Sequence, residues 1–131
     1  MSNYVNLSKE TTVHSDEAVI VKHITGLPGG RALDLSTYKN LKDGTDVIKA
    51  GHLIVKNKET QVVSPLDVDA QGAYVEVPAT TELVGVLEYG VTKAEPIGAI
   101  LTAGQVNGKR LPYELADGTK EKLPRIEFLY I

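Results

Sequence analysis

No stretch of this chain keeps a helical apolar period for long. Instead, short runs rich in Val, Ile and Leu recur and are cut by Gly, Pro, Asn or Asp. They are "AVIVKHI" (18–24), "DVIKAGHLIVK" (46–56), "ELVGVLEYGVT" (82–92), "PIGAILTAGQVN" (96–107) and the closing "LPRIEFLYI" (123–131). β-Branched runs bounded by turn residues read as strands, and their close recurrence indicates an all-β barrel or sandwich. A βαβ layout needs a crossover helix, and no segment supplies one. The expected fold is therefore mainly β: a small barrel-like domain with at most one or two short helices. "LPYELADG" (111–118) is the best helical candidate, with Gly118 as its stop.

Turns are expected at Asp43-Gly44, Ala50-Gly51, "NKET" (57–60) and Gln71-Gly72. Gly85, Gly98 and Gly104 stand inside strand-like runs, where a glycine marks a bend, a bulge or the close approach of another backbone. The two strongest runs place Val84, Val86, Leu87, Ile97, Ile100, Leu101 and Val106 in the core. The last strand sets Ile126, Phe128 and Tyr130 on one face and Leu129 and Ile131 on the other, so it is expected to be covered on both. A chain of 131 residues is one domain by size. Residues 1–17 are polar with isolated apolar points, which reads as a flexible N-terminal arm on a single β-rich domain over 18–131.

Motifs for chemistry are sparse. "GLPGGRALD" (26–34) has the glycines of a phosphate loop but lacks the Lys and Ser/Thr that should come directly after them, and the next residues alternate like a strand. It reads as a turn set by Pro28 and Gly29. "DVDAQGAYVEV" (67–77) echoes the start of a calcium loop at Asp67, Asp69 and Gly72, but Pro78 stands where the bidentate Glu belongs, so a solvated turn is expected. His14, His23 and His52 are far apart and are read as surface or edge-strand residues. The six tyrosines are scattered, and no serine sits in a nucleophile elbow. Lys109, Arg110, Lys120, Lys122 and Arg125 are interleaved with Glu114, Asp117 and Glu121, and the net charge is −3, which disfavours nucleic acid. No apolar run reaches membrane-spanning length, and no secretory signal opens the chain. With no cysteine there is no disulfide or thiolate metal site. No cofactor, metal or catalytic residue is expected.

Across roughly residues 44–131 the order of segments resembles the head decoration proteins of tailed phages, of the lambda type. "DVIKAGHLIVK" resembles the strand that opens their β-domain, and "ELVGVLEYGVT" their next conspicuous element. "PIGAILTAGQVN" resembles the strand ending in Gly-x-Val-Asn before a Leu-Pro step, here Gly104, Val106, Asn107, Leu111 and Pro112. The stretch "HITGLPGGRALDLSTYKN" is longer than the family's simple arm, and the helical C-terminal part is reduced. The resemblance implies a trimeric "tulip" domain on the outer surface of an expanded capsid in the virion. It would be made in the host cytoplasm, bind the major capsid protein and stabilise the mature shell without catalysis. An arm carrying Tyr4, Val5, Leu7 and Val13 would pair with a shell strand by β-augmentation. The alternatives are another β-rich virion or assembly protein, such as a fibre base or adaptor, and a small β-barrel enzyme with a site assembled from distant residues.

Overall fold

Leu53, Ile54 and Val55 are consecutive, apolar and all buried, which is possible in a strand only if both faces of its sheet are covered. A computed structural model of the chain describes residues 19–26 and 31–130 and shows how this is done. The main strands are β1 (Ile20–Gly26), β4 (Leu53–Asn57), β5 (Val63–Pro65), β6 (Thr81–Leu87), β9 (Ile100–Asn107) and β10 (Ile126–Leu129). Four shorter strands, β2 (Arg31–Ala32), β3 (Val47–Ile48), β7 (Val91–Thr92) and β8 (Ile97–Gly98), form two ribbons, β2–β8 and β3–β7.

The main sheet has six strands in the order β10-β9-β6-β4-β5, with β1 also paired to β9. Leu101 pairs with both Gly26 and Val86, and Gly104 with both His23 and Ile126. Hence β1 runs along one edge of β9, while β6 and then β10 share the other. Alternation along the strands divides the core into two clusters. Leu53, Val55, Val86, Leu101 and Val106 enter one, with Val68, Leu123 and Ile126; Ile54, Leu87 and Ile100 enter the other, with Leu33, Ile48 and Val63.

The mainly β expectation holds, with one short α-helix, α1 (Thr119–Lys122), and a 3-10 turn, Gly108–Arg110, among the described residues. The barrel does not. Edge strand β5 pairs with neither β1 nor β10 among the described residues, so the sheet is open. "LPYELADG" is not a helix either. Glu114 adds a rung to the hairpin tip, its N–H donating to the Gly72 carbonyl (3.2 Å) and its carbonyl accepting from Tyr74 (3.2 Å). Gly118, at φ +86°, precedes α1 as its N-cap rather than stopping a helix. No described helix is long and apolar enough to cross a membrane.

Of the expected core, Val86, Leu87, Ile100, Leu101 and Val106 are fully buried and Val84 is partly so. Ile97 is not: it is 60 % exposed, because Gly98 is the residue of β8 that packs inward, against Leu87 and Val91. The last strand is paired as expected, parallel to β9, with Ile126 buried and Phe128 packed beside it. Tyr130 lies beyond it, half-exposed against Gly108.

Candidate functional site

A cleft of about 870 Å³ opens where the turn at Lys42-Asp43, the hairpin tip at Gln71-Gly72 and the segment 108–121 converge. Its inner wall is organised by buried Asn40. The Asn40 Oδ1 accepts from the Lys42 N–H (3.1 Å) and the Asp43 N–H (2.9 Å), which closes the turn. The Asn40 Nδ2 donates to the hydroxyls of Tyr38 (3.1 Å) and Tyr113 (2.8 Å). Tyr113 in turn donates to Asp43 Oδ2 at 2.7 Å, and Lys49 Nζ reaches the same oxygen at 3.2 Å.

Burial, helped by the neighbouring Asp43 carboxylate, pushes the Tyr113 hydroxyl up to about 12. The hydrogen bond from Tyr113, with that from Lys49, holds Asp43 below the usual carboxylate range. At neutral pH the pair is a protonated phenol and an ionised carboxylate. It forms a fixed polar wall, since the proton affinities are too far apart for ready exchange. Two lysines lie over tyrosine rings in the cleft: Lys49 Nζ is 5.6 Å from the Tyr113 centroid and Lys120 Nζ is 4.5 Å from that of Tyr130.

Behind Tyr113 lies His52, wholly buried at the entry to β4. Its ring meets Tyr38, Tyr74 and Tyr113 edge-on, at centroid distances of 5.5, 5.2 and 5.5 Å. The His52 Nε2 is 2.8 Å from the Leu66 carbonyl oxygen, which can only accept, so Nε2 carries the proton. Nδ1 has no partner among the described residues. Burial drives the imidazole down to about 4, so it is neutral at physiological pH.

Two expectations are corrected here. His52 is not a surface or edge histidine, because β4 is a central strand and the residue opening it is walled in by three rings. The tyrosines are not all scattered, because Tyr38, Tyr74 and Tyr113 converge from three separate segments. The only sequence signal was a His directly preceding the fully apolar "LIV". The turn reading of 67–77 matches the structure: Asp69 Oδ1 accepts from the Gln71 N–H (2.9 Å) and the Ala73 N–H (3.0 Å). Asp67 Oδ1 accepts from the Lys39 N–H at 2.9 Å. His23 is exposed on β1, 3.4 Å from Glu88. Gly26 ends β1 and Arg31 opens β2, while 27–30, His14 and the arm residues Tyr4, Val5, Leu7 and Val13 lie outside the described residues.

A second surface is β1 itself. Its residues from Val21 to Thr25 are all exposed, with Val21 at 43 % and Ile24 at 59 %. Among the described strands it is paired only to β9. No protein-family profile matches the chain, and comparison with curated proteins finds no relative.

Proposed function

We propose that the protein is a non-enzymatic structural component of a phage virion, which binds the outer surface of the capsid and stabilises the mature shell. The observation that carries this reading is β1. A strand exposed on both faces, with one ladder edge unpaired among the described residues, is a template for another chain. It is also the element that residues 1–17 lead into. The Val19 carbonyl, just before β1, accepts from the Asn107 N–H at 2.7 Å.

In this reading residues 1–17 pair with the major capsid protein, main-chain bonds giving affinity and alternate side chains giving register. Ordering such an arm costs about 1–2 kcal/mol per residue, so one arm alone binds weakly. A homotrimer offers three, and the effective concentration of the second and third raises avidity. The shell gains stability because the protein binds the assembled lattice and not the dissociated subunits.

The test is co-sedimentation with expanded capsids of the full chain and of a variant lacking residues 1–17. The full chain is expected in the pellet and the truncated one in the supernatant, with equal melting temperatures. Full-strength binding by the truncated chain, or none by the full one, refutes the reading. Exposed apolar residues on the two ribbons, Val47 at 53 % and Ile97 at 60 %, favour a second reading as an adaptor or fibre-base protein. Substituting both with Ser would then abolish attachment with the arm intact.

A further inference from the structure

The geometry points to the cleft at Asp43, Tyr113 and Tyr130 as a binding site for a short neutral oligosaccharide. Three observations converge on that class. The first is charge. Lys42, Lys49 and Lys120 line the cleft together with Asp43, Glu114, Asp117 and Glu121. A wall of both signs has no field to concentrate a polyanion, and no group of His, Asp and Glu among the described residues is placed to hold a metal ion. It does offer charged donors and acceptors side by side, which suits a ligand carrying many hydroxyls, each both donor and acceptor.

The second is preorganisation. Asp43 is fixed through Oδ2 by Tyr113 and Lys49 and through its backbone N–H by Asn40. Its Oδ1 has no hydrogen bond to a described residue, and the side chain is 37 % exposed. An ionised, immobilised carboxylate on a partly exposed side chain, with one oxygen unengaged by any described residue, is a ready acceptor for a ligand hydroxyl, with little ordering left to be done on binding.

The third is an aromatic platform. Tyr130 is 51 % exposed although its ring rests on Gly108, where a Cβ would collide with the ring carbons. Lys120 reaches over the ring, a cation–π contact at an exposed site and therefore weak enough for a sugar's C–H face to displace. Displaced, the Lys120 ammonium becomes a donor to the same sugar. A volume of about 870 Å³ admits more than one sugar ring, and the cleft is open rather than enclosed, as a chain-like ligand requires.

The test uses the free protein, so it is independent of capsid attachment. Chitotriose, maltotriose and cellotriose are titrated separately into isotope-labelled full chain and followed by amide shifts. At least one neutral trisaccharide is expected to bind saturably in the millimolar range, with shifts confined to the neighbourhoods of Asp43, Tyr113, Lys120 and Tyr130. Tyr130→Ala should weaken binding by about tenfold and Tyr130→Phe should not, since stacking needs the ring and not the hydroxyl. An unchanged amide spectrum away from the site shows that both variants fold. No saturable shifts with any of the three, or shifts mapping elsewhere, overturns the inference.

Discussion

The carbonyl oxygen of Leu101 occupies the space in which a side chain on Gly85 would begin. β6 and β9 meet there, Leu101 pairing with Val86, while Gly85 pairs with Ile54 on the other side beside a bulge. Three backbones therefore approach at one point, and only a residue without Cβ fits. Gly85→Ala is expected to cost at least 3 kcal/mol, on the order of the larger core substitutions. Gly90→Ala is the control, because a Cβ there meets nothing closer than 3.5 Å and its φ lies outside the left-handed range that favours glycine. It should be neutral or stabilising by up to about 1 kcal/mol. Urea unfolding of the two variants measures the difference, and equal losses would show that the crossing is looser than described.

Ile97 and Ile100 make a second contrast. Both stand in the same apolar run, yet Ile100 is fully buried and Ile97 is 60 % exposed. Ile100→Asp should abolish folding, since it places a charge among Leu87, Ile54 and Val63. Ile97→Asp should leave the thermal midpoint within a few degrees. Melting curves followed by circular dichroism decide it, and a folded Ile100→Asp protein would contradict the assigned core.

Much of this sheet was legible because its strands obey short-range rules. Val86, Leu87, Ile100, Leu101 and Val106 sit in runs that no helix could accommodate, and the turns at Gly44, Gly51 and Gly72 have the positive φ that their residues announce. Ile97 departs from the pattern because a neighbouring glycine, not the larger side chain, faces inward. The helix expected at 111–118 failed because a long-range rung to the hairpin tip outweighs a local tendency. The cleft was illegible for a related reason. Tyr113 meets Asn40 and Asp43 across separations of 73 and 70 residues. Asn40 itself lies in "YKNLKDG", where an asparagine looks like any turn residue.

Acid should find His52. Its ordinary value of 6.5 applies to the unfolded chain, and burial holds the folded imidazole at about 4. Between those values the unfolded state binds the extra proton, so stability falls as the pH drops through this window. The contribution is complete above about pH 6.5, and about 3 kcal/mol of it has gone below about pH 4. Urea titrations at pH 7 and 4.5 measure the loss, and His52 ring proton shifts report the site directly. A ring that titrates near 6.5 in the folded protein would mean that it is not sealed as described.

Asn40 holds the cleft wall with all four of its amide hydrogen-bonding positions in use, two as acceptor and two as donor. Truncating it leaves two backbone N–H groups and two tyrosine hydroxyls short of a partner in a largely buried setting. Each such group costs about 1–3 kcal/mol when it finds no substitute. Water from the cleft can reach the turn N–H groups more easily than the hydroxyl of Tyr38, so the sum is not simply additive. Asn40→Ala is therefore expected to destabilise the protein by about 2–4 kcal/mol, and Asn40→Asp by less, since the carboxylate still accepts from both turn amides. The Asn40→Asp variant loses both donors and brings a second negative charge towards Asp43, so its deficit should shrink as the pH is lowered and the introduced carboxylate is protonated. Equilibrium unfolding of both variants and of the unsubstituted protein at pH 7 and pH 5 gives the six values needed. An Asn40→Asp protein whose deficit is larger at pH 5 would show that the introduced charge is not what destabilises the wall.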